Sequence, residues 1–374
     1  MNNIPFVDLA AQYQRLKSQI DARIRGVLDH GRFIMGPEIA ELEAALCAFA
    51  GCEHAIAVSS GTDALVMVLM AEGVGPGDAV FLPAFTFTAS AEVVLLVGAV
   101  PVFVDVDEKT FNLDVEPLRA KIREVEKSDN LTPKAILPVD LFGLPADYAA
   151  INEIADEHGL RVIGDAAQSF GGRIGEARVG ALAPVTTTSF YPAKPLGCYG
   201  DGGAIFTNDA ERAGLLRSIR EHGKGKGKYD IDRIGVNSRL DTLQAAILLP
   251  KLAIFAEELE ARERLAARYD AQLAQAVTTP ARQAGKTSAW AQYSILLDDR
   301  DRVVAALAEA GIPTAIYYPT PIHLQPPYAD FGDGEGSLPV SESLCRRIMS
   351  LPMHPYMEDA TADRICSALL EANR

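Results

Sequence analysis

Three short stretches of this chain carry side chains better suited to chemistry than to packing. The first is SFYPAKPLGCYGDGGAIFT, residues 189–207, where Lys194 stands between Pro192 and Pro195 and four glycines follow within nine residues. No acidic residue lies three or four places from Lys194, so it does not belong to an ion-paired helix face. The flanking prolines and glycines fix the backbone around it. A lysine that must form a Schiff base needs a fixed position and surroundings that lower its pKa. The second stretch is RVIGDAAQSFGG, residues 161–172, in which Asp165 closes an apolar run. A carboxylate at such a strand end needs a cationic or hydrogen-bonding partner. The ring nitrogen of a cofactor would serve, and so would the N–H groups of a following helix. Gln168 lies one helical turn further on. The third is SSGTDAL, residues 59–65, where a strand ends and Gly61-Thr62 opens a helix. Helix N–H groups and hydroxyls there suit a phosphate, although alone the stretch reads as an ordinary N-cap. It has neither the GxGxxG fingerprint of a dinucleotide site nor a Walker lysine.

In that order, a phosphate-type turn, a strand-end acid and a rigid lysine are the parts of a pyridoxal phosphate site. Lys194 would be the Schiff-base lysine and Asp165 the partner of the pyridinium nitrogen. Ser189 could add a hydroxyl to the phosphate cradle. Phe85 and Phe87 in LPAFTFTAS follow a strand, where an aromatic can stack on a flat ring or simply fill the core.

The elements that must position these residues are legible as alternating patterns. The first 50 residues have helical periodicity. Strand-like runs follow at 54–60, 78–85, 100–106, 134–141, 161–166, 185–191 and 202–207, many separated by amphipathic helices. Strands apolar throughout, with helices between them, imply a mostly parallel α/β sheet covered on both faces. Ligands of such sheets bind at the carboxyl ends of the strands, where the unusual residues fall. A long helical region at 240–276 leads to a smaller α/β unit with a strand at AQYSILL, a helix at DRVVAALAEAG, an irregular YYPTPIHLQPPY segment and a closing helix. A soft boundary near residue 250 divides a large domain, 1–250, from a small C-terminal domain, 251–374.

Composition bounds the remaining possibilities. The chain has 374 residues, is 48% hydrophobic and carries a net charge of −15. That balance argues against nucleic acid or a membrane surface as partner, and any anion site must be built locally. The five cysteines, Cys47, Cys52, Cys198, Cys345 and Cys366, form no CxxC pair, which fits a reducing compartment and gives a zinc site no support. The N-terminus lacks a signal-peptide pattern, and no apolar run reaches membrane-spanning length, so a cytoplasmic location is expected.

The segments SSGTDAL, PAFTF, DAAQSFG, SFYPAKPLGCYGDGGAI and GVNSRLDTLQAAIL, in this order, resemble the DegT/StrS-type sugar-nucleotide aminotransferases. These are fold-type I pyridoxal-phosphate enzymes, and the resemblance extends from GRFIMGPEIAELE to PTPIHLQ and LPMHP. It implies a seven-stranded, mostly parallel sheet with a smaller C-terminal α/β domain. Lys194 is implied as the lysine that holds the cofactor and shuttles the proton, and Asp165 as the acid that keeps the pyridinium protonated. Gln168 would lie by the phenolic oxygen, Phe87 against the ring face, and Gly61, Thr62 and Ser189 at the phosphate. Asn237 is implied to reach the phosphate from a partner subunit, making a homodimer part of the site. A lysine rather than a histidine at 194 favours amino transfer over sugar dehydration. Asp140 in PVDLFG stands where many members carry histidine.

KPLGCYGDGGA is similar to the branch that aminates a 3-keto UDP-N-acetylglucosaminuronate with glutamate, for surface polysaccharides such as O-antigen. Arg239 could clamp a carboxylate, and Tyr317, Tyr318 and His323 resemble the family's sugar-side residues. The cationic HGKGKGKYD loop, 222–230, suits a diphosphate or a uronate equally well as solvent, and Tyr229 after Lys228 rules out a P-loop. Three alternatives stay open: a 4-keto-6-deoxy nucleotide sugar as acceptor, a non-catalytic pyridoxal-phosphate sensor of nucleotide sugars, and an NAD enzyme. The missing GxGxxG weakens the last.

Overall fold

The computed structural model describes residues 4–128, 130–227 and 229–374. All seven expected strands are present. They are β1 (His54–Val58), β2 (Asp78–Pro83), β3 (Val100–Val104), β4 (Thr132–Ile136), β5 (Arg161–Asp165), β6 (Val185–Ser189) and β7 (Gly203–Thr207). They form one sheet in the order β1-β7-β6-β5-β4-β2-β3. The pairs from β3 through β6 are parallel, whereas β7 runs antiparallel to both β1 and β6. The carboxyl ends of six strands therefore share one edge, and the amino end of β7 joins them. Pro133 within β4 and Pro138 just beyond it limit the ladder, so regular pairing with β5 stops at Ile136 and resumes only at Val139 opposite Asp165.

Helices cover the sheet as its apolar strands require. The large-domain helices are α1 (Leu9–His30), α2 (Pro37–Ala50), α3 (Gly61–Ala71), α4 (Ala89–Leu96), α5 (Val115–Lys127), α6 (Tyr148–His158) and α7 (Ala210–Arg220). Six of the seven begin with a cap suited to them: Asp8, Ser60, Asp114, Asp147 and Asp209 accept first-turn N–H groups, and Pro37 opens α2. Val58, Val80, Leu82, Ile163 and Ile205 are buried beneath α3 and its neighbours. Each such side chain contributes about 1.5–3 kcal/mol on burial.

The long helix is α8 (Thr242–Leu273), continuous through Pro250. The expected boundary near residue 250 thus lies inside a helix. Its first half packs against α1 and α2, and its second half against the closing helix α11 (Asp359–Ala372). The C-terminal part contains α9 (Arg300–Glu309), α10 (Pro339–Arg347) and a two-stranded antiparallel sheet, β8 (Tyr293–Leu296) with β9 (Ile348–Leu351). α10 and β9 were not expected from the sequence. α10 passes into β9 without a single intervening residue, so no turn signal separates the two periodicities. Residues 222–227 and 229–236 fold back on one another, with Asp232 N–H donating to the Gly223 carbonyl and Gly225 N–H to that of Asp230. Lys228 of the cationic stretch lies outside the described residues. Among the described residues, no helix is long and apolar enough to cross a membrane.

A buried ion pair ties the outer strand β1 to both covering layers. Arg220, 3% exposed at the end of α7, donates to Glu43 Oε1 of α2 at 2.7 Å and to the Ala57 carbonyl of β1 at 2.9 Å. The same Glu43 oxygen accepts Ala57 N–H at 2.9 Å. Arg220→Ala leaves the carboxylate and carbonyl without their cation. It is expected to destabilise the fold by about 3 kcal/mol, read as a lowered urea midpoint.

Candidate active site

A cavity of about 480 Å³ opens at the carboxyl edge of the sheet. It collects Gly61, Thr62, Phe87, Asp165, Gln168, Ser189, Lys194, Tyr317 and Tyr318. Register explains why three of these converge. Gly203, the first residue of β7, pairs with Val58 of β1 on one side and Ser189 of β6 on the other. A side chain at Gly203 would meet the Ser60 backbone at 2.6 Å, and one at Gly61 would meet Ser189 Cβ at 2.8 Å. Only glycine permits this close approach. Ser60 caps α3 by accepting Asp63 N–H at 3.0 Å, and its carbonyl accepts Ala64 N–H. The N–H groups of Gly61 and Thr62 have no acceptor among the described residues. With the Ser189 hydroxyl they form a cradle that fits a phosphate.

Asp165 ends β5, is 4% exposed, and accepts from Ser90 Oγ at 2.8 Å and Ala167 N–H at 3.1 Å. Burial pushes its carboxyl above the ordinary range, opposed by those two bonds and by the charge of Lys194. Lys194 is half-buried on a turn closed by its own N–H to the Tyr191 carbonyl at 2.9 Å. Burial lowers its ammonium pKa, opposed by Asp165. Among the described residues its Nζ is bound to no carboxylate, so the two groups share the cavity without an ion pair.

The aromatic pair separates cleanly. Phe85 is 1% exposed and packs on Phe111 and Phe142 in the core, whereas Phe87 is 53% exposed and forms the cavity wall. Gln168 is tied at both ends: Oε1 accepts Phe142 N–H at 2.7 Å, and Nε2 donates to Tyr318 Oη at 3.2 Å. Three other candidates lie outside this cavity. Asn237 is exposed, and Arg239 is half-buried, on a segment that pairs with the end of β1. His323 belongs to the core rather than to the cavity. A single 3₁₀ turn at Ile322–Leu324 carries it inward, where it contacts Glu342 at 3.3 Å and the Phe103 ring.

Ser90, Thr86, Tyr191, Asp201 and Gln292 also line the cavity but were not singled out from the sequence. Ser90 sits in the first turn of α4, one turn past PAFTF, and nothing in its spacing announces a bond to a residue 75 positions away. Asp140 has a structural explanation. Fully buried, it accepts Ala146 N–H at 2.8 Å and Ser169 Oγ at 2.7 Å, while its own N–H donates to the Asp165 carbonyl. It therefore holds the turn that carries Gln168.

A family model described as the DegT/DnrJ/EryC1/StrS aminotransferase family matches residues 14–370. The chain belongs to this family. It is 51% identical over 369 residues to the UDP-2-acetamido-2-deoxy-3-oxo-D-glucuronate aminotransferase of Pseudomonas aeruginosa, covering 98% of this chain and 99% of that one. The crystal structure of a family member from Brucella abortus superposes with a TM-score of 0.96 at 55% identity, covering 98% of each chain. A Bacillus subtilis relative with bound pyridoxamine phosphate superposes at 0.89 with 30% identity, covering all of this chain and 86% of its own. The chain is a pyridoxal-phosphate-dependent sugar aminotransferase. The free N–H cradle, the exposed Phe87 face and the enclosed acid and lysine fit that cofactor.

Burial raises the Asp140 carboxyl from its ordinary 3.8 to about 6. A carboxyl raised in the folded state favours folding while protonated, and that contribution is lost as pH rises between those values. Asp140→Asn cannot titrate. Between pH 3.5 and 7 the wild type is therefore expected to lose about 3 kcal/mol relative to Asp140→Asn, measured by chemical denaturation across that range.

Proposed function

We propose that this chain moves an amino group from L-glutamate to the 3-keto group of UDP-2-acetamido-2-deoxy-3-oxo-glucuronate, supplying a 3-amino sugar for a surface polysaccharide. The observation that carries the reading is the enclosed Lys194–Asp165 pair beside a phosphate cradle, in a chain 51% identical to an enzyme named for that reaction. Pyridoxal phosphate, when bound, supplies an electron sink that lets a proton leave the carbon bearing the amine.

The chain's own residues do the rest. Gly61 and Thr62 N–H groups and the Ser189 hydroxyl hold the phosphate, and Phe87 offers its face to the ring. Asp165, ionised beside a cationic ring nitrogen, keeps the proton there. Lys194, its pKa lowered by burial, would take the proton from the amine-bearing carbon and deliver it to the carbon on the other side of the nitrogen. Gln168 retains one amide hydrogen for the ring's oxygen side. Tyr317 and Tyr318 close the cavity toward the sugar and limit water.

Asn237 and Arg239 would complete the cavity of a second copy, Asn237 at its phosphate and Arg239 at the uronate carboxylate. In support, exposed apolar side chains stand on the chain segments that flank or pair with theirs. Phe33 is 46% exposed, Ile34 49%, Ile231 59% and Ile234 83%, and Phe33 and Ile34 pair with residues 241–242. An apolar surface of this kind favours association with another copy.

The purified protein is expected to show a visible cofactor band that bleaches with L-glutamate and returns with the 3-keto uronate. Return instead with a 4-keto-6-deoxy nucleotide sugar would identify a different acceptor, bleaching only with another amino acid a different donor, and no bleaching with any of them a sensor. Lys194→Ala should lower turnover at least about a thousandfold. Mixing inactive Lys194→Ala and Asn237→Asp subunits should restore activity, because each hybrid dimer then holds one intact site. No recovery after confirmed subunit exchange would place Asn237 outside the shared site.

A further inference from the structure

Behind the cavity lies a second lysine that this chemistry does not use. Lys251 follows Pro250 in α8 and is 1% exposed. Among the described residues no carboxylate forms an ion pair with it. Its Nζ donates to the Gly197 carbonyl at 2.7 Å and sits 4.0 Å above the Tyr199 ring. Two turns earlier on α8, Gln244 accepts Tyr199 N–H at 2.8 Å and donates back to the Tyr199 carbonyl at 3.4 Å. Both partners belong to the loop of residues 190–202, which carries Lys194.

The loop transmits this grip. Phe190 N–H donates to the Gly202 carbonyl at 2.7 Å, and Cys198 N–H to that of Phe190 at 2.8 Å, closing the loop at its base. At Gly197 the chain doubles back so tightly that a side chain there would meet the Tyr191 and Pro192 carbonyls at 2.7 and 2.6 Å. The Tyr191 carbonyl is also the acceptor that closes the Lys194 turn. Moving the Gly197 carbonyl therefore moves Lys194. An apolar side chain would fill the same space without the penalty of desolvating a cation. Burial does lower the Lys251 ammonium, to about 8.

We propose that Lys251 is a positioning residue for Lys194: by holding the Gly197 carbonyl it sets the Lys194 amine at attacking distance from the aldehyde of the cofactor. The proposal rests on the assignment of Lys194 above. In the step it serves, the neutral Lys194 amine forms a C=N bond to the aldehyde carbon, and the aldehyde oxygen leaves as water.

The test compares two ligands on cofactor-free protein. Pyridoxal phosphate attachment is timed by borohydride trapping and mass measurement. Pyridoxamine phosphate has no aldehyde, so its affinity by calorimetry reports the noncovalent contacts to phosphate and ring. Lys251→Met is expected to slow attachment about tenfold or more while leaving pyridoxamine phosphate affinity unchanged. Lys251→Gln, which keeps a donor toward the carbonyl, should fall between and serves if the methionine variant does not fold. Unchanged attachment, or equal weakening toward both ligands, overturns the proposal. Lys194→Ala run alongside should give no attachment. Attachment in that variant would overturn the assignment of Lys194 itself.

Discussion

Asp165 and Lys194 face one cavity without forming an ion pair, and the rest of the site depends on that separation. Burial drives each toward its neutral form, and each opposes the shift of the other. If the two met directly, the pair would collapse into a structural salt bridge and leave no gap for a ring. The sheet keeps them apart. Asp165 ends β5, whereas Lys194 is displaced past the end of β6 on a turn of its own. Ser90 then supplies the hydrogen bond that a nearer lysine would have given.

The sequence made these cavity-lining residues legible because each broke a local pattern: an acid closing an apolar strand, a lysine between prolines, a glycine opening a helix. It could not rank residues that obey local patterns. Phe85 and Phe87 have the same type and differ by two positions, so alternation puts both on one face. The strand ends before them, however, and only the chain's departure from the sheet separates core from cavity. Ser90 and Gln292 are unremarkable in their own elements and become part of the site through contacts across distant segments. His323 sits in an irregular stretch rich in proline and polar aromatics that resembles the family's sugar side, yet one 3₁₀ turn buries it. The α10–β9 junction was missed for a related reason, since two periodicities meet there with nothing between them.

Asp140 and Lys251 extend the same logic one layer outward. Each is a buried ionisable group that touches no position open to a ligand, and each bonds a loop carrying a residue that does. Asp140 grips Ser169, next to Gln168, and Lys251 grips Gly197, three residues from Lys194. Neutral side chains could pack in either place. Charged ones make shorter and more directional bonds to a backbone, which suits loops whose few contacts would otherwise let them drift. The cost appears in both pKa values, which burial has moved toward neutrality.

A chain with a net charge of −15 is nevertheless suited to a cofactor phosphate. The global field is a weak obstacle, because salt screens charges beyond about 8 Å under physiological conditions. What acts on an anion in the cavity is what touches it: the free N–H groups at the head of α3 and the Ser189 hydroxyl. The helix end contributes about half a positive charge there, and it needs no side chain to do so. The close approach of Gly61 and Gly203 is what exposes that end between β1 and β6. A side chain at either position would close the cradle before any charge was altered, so anion binding depends first on the absence of two Cβ atoms.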